Sequence, residues 1–526
     1  MENLPGIFND VIGPVMRGPS SSHTAASWRI SRCTMDMLNE PLKKAVISFD
    51  RDGAWAPNYR EQGTTIGIEG GLLGFEMTDD RMKHTEQIAK DRGIDIEYEI
   101  NSFPTRHVNT VKLILEGFNG RNIEVLAASL GGGSFEIQRM NGFDVKISGD
   151  YHELLIFSEH KDPQVGEIKA ALPSWHSISL SSAADRTLIN FKFSKPVDES
   201  HVLQVRSITN VDQVLLIDPV MPIVLGNESE FPFNSVQSLL SYSDQEALDL
   251  GSCGLLYEKA ISGLSEKELN DRMKSLVDII ENSISTGLAG TEYDDRILPQ
   301  QSHLINNASR SGKILKNKLI NDIIANVSAI MESKSAMEVV VANPTAGSCG
   351  AVGGVIRAVA DEMGATDEEV IKAYFAAGMV GAFFAMGPGF SAEEHGCQVE
   401  CGASGGMAAA AIVQLYGGTA RQAIDAASMA IQSMIGLICD PVADRVEVPC
   451  LGKNISAAMN ALTSATMSCS GFNAVIPLDE VIQTVSTVSA QMPSCNKCTG
   501  RGGLAVTKTA CRLKEQMKLN NAVTTS

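Results

Sequence analysis

"ELLIFSE" at 153–159, "HSISLSS" at 176–182, "RTLINFKFS" at 186–194 and "VDQVLLIDPV" at 211–220 read as strands. They are short, β-branched or aromatic, and bounded by turn residues. Between them, "PQVGEIKAAL" at 163–172 and "ESHVLQVRSI" at 199–208 carry helical spacing. The order is βαββαβ, the split ferredoxin-like arrangement, and it separates two unlike stretches of chain. Upstream, "AVISFD", "NTVKLILEG", "NIEVLAASLGGGSFEIQRM" and "GFDVKIS" mix apolar runs with glycine turns, which predicts a mixed domain over 1–150. Downstream of the βαββαβ unit (151–223), residues 224–250 read as a linker and 251–511 as an all-α domain, with a tail at 512–526 whose last residues, "KLNNAVTTS" at 518–526, read as polar and frayed. Capping boxes start several of these helices: Ser265 with Glu268, Thr366 with Glu369, Thr419 with Gln422. The expected fold class is α+β.

A chain of 526 residues has room for two or three cores. Lys and Arg number 43 against 62 Asp and Glu, a net charge of −19, and no basic run is present, so nucleic acid is not an expected partner. "MENLPGIFNDVIGPV" has no basic segment leading into an apolar core. The most apolar window, "AYFAAGMVGAFFAMGPGF" at 373–390, is broken by Gly and Pro and reads as a buried helix rather than a membrane span. The expected location is the cytoplasm, with no membrane partner. Thiols stay reduced there, so the eleven cysteines read as buried residues, metal ligands or reactive thiols.

"RGPSSSHTA" at 17–25 sets Ser20, Ser21, Ser22 and His23 where a helix begins. Small hydroxyls at that place either cap the helix or help it hold an anion. "NPTAGSCGAVGG" at 343–354 enters a second helix, and both carboxylate binding and tight helix packing fit it. "GGGS" at 131–134 lacks the lysine and spacing of a phosphate loop and reads as a turn. In "HGCQVECG" at 395–402, Cys397 and Cys401 lie four apart, so one helical turn would put them on one face. A metal site, a redox pair and two small buried residues all suit that spacing. Cys439 in "LICDPV" and Cys450 in "VPCLGKN" sit in turns beside proline. Cys495 and Cys498 form a CxxC without the second pair a zinc ribbon needs.

Taken in order, "GPSSSHT", "SLGGGSFEIQRMNGF", "NPTAGSCG", "HGCQVECG", "LICDPV", "VPCLGKN" and "RGGLAV" resemble the bacterial iron–sulfur-dependent L-serine dehydratases, with beta and alpha chains fused. The resemblance spans nearly the whole chain, and the βαββαβ stretch sits where some members carry an ACT-type regulatory domain. It implies a [4Fe–4S] cluster on Cys397, Cys439 and Cys450, with Cys401 and Cys349 structural. It implies elimination of water from L-serine, a small amino-acid substrate, to give pyruvate and ammonia without pyridoxal phosphate. The protein would be oxygen-sensitive and a homodimer. His23 with Ser20, Ser21 and Ser22 is expected to bind or orient substrate across a domain interface. Thr345 and Gly347 would face it, and Asn454 would fix the VPC loop. Cys511, shortly after "GGLAV", matches the tail cysteine expected to cap the open iron, although 512–526 extend beyond it. Gln62 stands where the family's Gly-His-Gly-Thr stretch supplies an active-site histidine; glutamine hydrogen-bonds but does not titrate. "SEHKDPQVG" puts charge and proline where ACT units turn on glycine. Two other functions fit the same resemblance: a cysteine desulfidase on the same cluster, and a non-catalytic serine sensor.

Overall fold

The computed structural model describes residues 4–159, 164–226, 231–294 and 296–524, with side chains to 518. A six-stranded sheet comes first. Across it run Asp95–Asn101, Leu42–Asp50, Thr110–Gly117, Asn122–Gly131, Ser134–Met140 and Phe143–Ile147. The first pair is parallel and the rest antiparallel. Helix Ala26–Leu38 lies on one face of this sheet. Its Ala26, Ile30, Cys33 and Met37 recur every three or four residues, so they form one stripe. That stripe shares a core with Ile47, Leu113, Val125 and Ala127. Full burial of each Ile or Leu there stabilises by about 1.5–3 kcal/mol.

The βαββαβ order is found. Strands His152–Ser158, Ser177–Ala183, Arg186–Phe193 and Val211–Ile217 and helices Val165–Ala171 and Glu199–Arg206 follow one another. The sheet runs fourth, first, third, second strand, all antiparallel. Side chains alternate between two cores, as a strand's period of two requires. Leu154 and Ile156 pack under the unit's own helices with Ile168, Val202 and Val205. Leu155 and Phe157 join the core of the six-stranded sheet. The charged turn at 160–163 lies outside the described residues.

The remainder is largely helical, and all three expected capping boxes form. The apolar window becomes the buried helix Asp367–Ala385. Among the described residues no helix is long and apolar enough to cross a membrane.

Four expectations need correction. The stretch 224–250 is not a plain linker, because helix Val236–Glu246 forms there behind a Ser235–Ser238 capping box. The C-terminal part is not all-α: Val339–Val341 is a strand, paired antiparallel with Val15–Arg17. Residues 518–524 are not frayed but continue helix Lys508–Thr524. Cys397 and Cys401 do not share a helical face. Cys397 opens the short turn Cys397–Val399, and helix Cys401–Leu415 starts only after Glu400.

The pairing of Val15–Arg17 with Val339–Val341 positions the site. Ile7, Phe8, Val11 and Ile12 are buried in the large helical core. The chain then passes through that strand pair into Ser20–His23, so the serine segment arrives already attached to the helical body.

Candidate active site

His23 sits in the turn Ser21–Ala25, which feeds helix Ala26–Leu38, and is fully buried. The serines do not act as a plain cap: Ser20 makes no side-chain bond to the helix N-terminus. Its hydroxyl instead lies 3.0 Å from His23 Nδ1, and Ser22 Oγ lies 3.1 Å from the same nitrogen. On the other side His23 Nε2 is 3.1 Å from Asn58 Oδ1. Ser22 donates to Glu393 Oε1 at 2.8 Å, and that oxygen is 3.6 Å from His23 Nδ1. Ser391 donates to the second Glu393 oxygen at 3.1 Å. Burial pulls the His23 pKa down against the opposing effects of Glu393 and Asn58, so the neutral imidazole is favoured. The neutral ring with its proton on Nε2 donates to Asn58 and leaves the Nδ1 lone pair for a hydroxyl.

Ser21 turns away from this group and accepts the Ala346 N–H at 3.2 Å, tying the segment to the loop that enters helix Cys349–Met363. In that loop Thr345 donates to Glu400 Oε1 at 2.7 Å. Gly347 is explained by closeness: a Cβ there would stand 2.8 Å from the same Glu400 oxygen. Asn454 is fully buried. It donates to the carbonyls of Gly347 and Cys450, both at 2.8 Å, and accepts the Ala351 N–H at 3.0 Å. Both amide atoms of the fully buried Asn343 are without a partner among the described residues. The "GGGS" turn is more than a connector, since a Cβ on Gly131 (φ +94°) would lie 2.5 Å from the Ser391 nitrogen. Glycine there lets the sheet edge press against the Phe390–Ser391 backbone that carries Glu393.

The thiols form the facing wall. Sulfurs of Cys397 and Cys439 and an oxygen of Glu400 all lie within 4.8 Å of one another. Gln398 holds the Cys397 turn by donating to the His395 carbonyl and to Ser489, both at 2.9 Å, and by accepting the Gly436 N–H at 2.9 Å. Cys450 is buried on the first turn of helix Val448–Cys469, outside the 4.8 Å group. Cys401 packs with Ala351 and Ala457. Lys453 reaches into the thiols: Nζ is 2.6 Å from Asp440 Oδ1, 2.7 Å from the Ile438 carbonyl and 3.7 Å from Cys397 Sγ. Burial alone would lower this ammonium's pKa; the thiol groups of Cys397 and Cys439, with Asp440, outweigh it and raise the pKa. Desolvation pushes Glu400 up to about 7 and Cys450 up to about 12. Soft donors beside a fixed positive charge suit a thiolate-bound metal centre, because the ammonium offsets the charge that deprotonated ligands bring.

The two walls meet. Glu393 bonds to Ser22 across 371 positions of sequence and stands four residues before Cys397. Gln62 is buried, with Nε2 3.9 Å from Cys498 Sγ. Cys511 is not with the other thiols; it is exposed on helix Lys508–Thr524. Cys349 is buried at the start of its helix. Glu393, Asn58, Asn343, Glu400 and Lys453 were not singled out from the sequence, and Cys498 was noted only as half of a CxxC. Asn343, Glu400 and Lys453 lie inside the quoted motifs, where a polar side chain among small residues was a usable signal. Glu393 and Asn58 gave none.

The model of the serine dehydratase alpha-chain family matches residues 175–505. A probable L-serine dehydratase alpha chain of Bacillus subtilis is 34% identical over 285 residues, covering 54% of this chain and 95% of that protein. The probable beta chain from the same organism is 31% identical over 214 residues, covering 40% of this chain and 96% of its own length. An L-serine dehydratase of Streptomyces coelicolor is 26% identical over 514 residues, 94% of this chain and 97% of that protein. The chain therefore belongs to the L-serine dehydratase family, with beta-chain-like and alpha-chain-like parts joined in one polypeptide.

Proposed function

We propose that the chain is a lyase that eliminates water from L-serine and releases pyruvate and ammonia. The names of its relatives support the substrate. The observation that carries the reading is the convergence of the His23–Glu393 pair and the Cys397–Cys439 pair on one short stretch, 393–400. In this reading 1–150 is the beta-chain-like part, 151–223 an ACT-type effector unit, and 251–511 the catalytic alpha-chain-like part.

A substrate carboxylate is repelled by a chain of net charge −19 unless a local nest of donors holds it. Ser20, Ser22 and the unpartnered Asn343 amide supply polar groups of that kind. His23 is the imidazole available to the reaction, since Gln62 cannot titrate. Its Nδ1 takes up a proton, and Glu393 at 3.6 Å stabilises the resulting imidazolium while Asn58 fixes the ring. When bound, a [4Fe–4S] cluster held by Cys397, Cys439 and Cys450 supplies Lewis acidity toward the departing hydroxyl. Lys453 offsets thiolate charge, and Asn454 keeps the Cys450 turn against the Gly347 loop.

The test is anaerobic purification with iron and sulfide analysis, followed by a pyruvate assay on L-serine. Stoichiometric iron with pyruvate formation is expected. An iron-loaded protein that releases sulfide from L-cysteine, but no pyruvate from L-serine, would replace this reading with the desulfidase. Serine binding without turnover of either amino acid would replace it with the sensor.

A further inference from the structure

Cys498 is absent from the three-cysteine set, yet it is the thiol most closely built into it. It is buried and shares an apolar cluster with Ala392, Cys397 and Cys439. Its side chain packs against those of Cys397 and Cys439. The backbone holds it there. Cys439 N–H donates to the Asn496 carbonyl at 2.9 Å, and Cys498 N–H donates to the Cys439 carbonyl at 3.1 Å. This two-bond clamp keeps 496–498 in register with the "LICDPV" segment. Cys498 adopts φ +59°, a left-handed conformation unfavourable for a residue with a Cβ, and it points its sulfur inward nonetheless. Gln62 Nε2 approaches that sulfur at 3.9 Å from the opposite wall. Its CxxC partner does not join in: Cys495 is half-buried, and its thiol lies 3.8 Å from the neighbouring Asn496 Oδ1. Cys511 is exposed.

We propose that Cys498, not Cys511, is the fourth thiolate of the centre, occupying in the substrate-free protein the coordination position that Cys397, Cys439 and Cys450 leave open. The proposal rests on the iron–sulfur reading above. Three features of Cys498 argue for a ligand rather than a filler. It is clamped to the backbone of a proposed ligand, it is turned inward at a strained φ, and its sulfur has an amide donor from the other wall. An N–H donor of that kind favours a thiolate over a thiol. Gln62, standing where the family has a histidine, then has a role in the resting state.

The experiment uses the full chain, reconstituted anaerobically with iron and sulfide, as wild type and as Cys498→Ser, Cys511→Ser and Cys397→Ser. Mössbauer spectra report whether one iron differs from the other three. Electron paramagnetic resonance follows conversion to a three-iron cluster on brief exposure to air. Wild type and Cys511→Ser should show no distinct iron and the same slow conversion. Cys498→Ser should keep its iron, show one distinct iron, and convert at least tenfold faster. Cys498→Ser indistinguishable from wild type overturns the proposal, as does fast conversion in Cys511→Ser alone. Failure of wild type to bind iron and sulfide overturns the cluster reading itself, as does full retention of the cluster by Cys397→Ser. Thermal unfolding of each variant separates a lost ligand from a lost fold.

Discussion

His23 has a protein partner at each ring nitrogen, whereas the thiols of Cys397 and Cys439 face each other, Glu400 and the ammonium of Lys453. The first wall is complete as folded. Its hydroxyls, amide and carboxylate satisfy one another, so the imidazole is fixed in position and in protonation state before any substrate arrives. The second wall is a set of buried thiols: hydrogen bonding to Cys397 and Cys498, then burial, raises the Cys439 pKa, and burial raises that of Cys450, so the set becomes stable as thiolate only with a positively charged guest. One wall is preorganised for proton chemistry, the other for a soft metal.

That contrast breaks most visibly at the thiols. Cys397→Ser or Cys439→Ser is expected to abolish both bound iron and pyruvate formation, whereas Cys401→Ala should retain iron because its side chain packs with Ala351 and Ala457. Iron analysis of the anaerobic proteins decides it. Next in size is His23→Ala. It should keep its iron and lose turnover by roughly 10²–10⁴-fold, the usual range for a positioned acid–base group. Near wild-type kcat in this variant would remove His23 from the chemistry.

The attachment of the first wall to the helical body should show in stability against pH. Burial pushes Glu258 up to about 7, although its carboxylate accepts the Ile7 N–H at 2.6 Å. Between its ordinary value of 4.5 and about 7, the folded protein holds the proton more tightly than the unfolded chain does. Stability from this group is therefore full below pH 4.5 and is lost as pH rises through 7, a loss of up to about 3 kcal/mol. Glu258→Gln should flatten that decline in a series of melting curves. Burial likewise pushes Asp150 up to about 7, so part of the slope will remain.

The smallest effect expected is that of Glu393→Gln. The carboxylate raises the His23 pKa against burial, so its loss should lower that pKa. The acid limb of kcat would move to lower pH, and kcat would fall by roughly tenfold as the imidazolium loses its stabiliser. An unchanged limb would mean that Glu393 acts only as a bracket for Ser22.

Local chemistry made much of the fold legible. The four strands and two helices of the βαββαβ unit announce themselves by period and punctuation, and the boxes at Ser265, Thr366 and Thr419 form as written. These are interactions within a few residues, decided by spacing alone. The helix Val236–Glu246 was missed because its cap is a serine pair rather than the usual Ser–Glu. The strand Val339–Val341 was missed because three residues carry no period; only the partner at Val15–Arg17 makes them a strand.

The same division runs through the site. The sequence by itself determined which residue types are present: the serines around His23, the cysteines in their turns, the small residues that let Gly347 and Gly131 come close to their neighbours. Tertiary structure alone decided which of them meet. Ser22 finds Glu393 across 371 positions and Gln62 finds Cys498 across 436. It also separated Cys498 from Cys511, two thiols that spacing cannot rank, burying one against Cys439 and leaving the other exposed. The reason is physical. A cap or a long periodic strand is chosen by neighbours along the chain, but burial, charge partners and a strand as short as Val339–Val341 are set by what packs across the interface, and no local pattern records that.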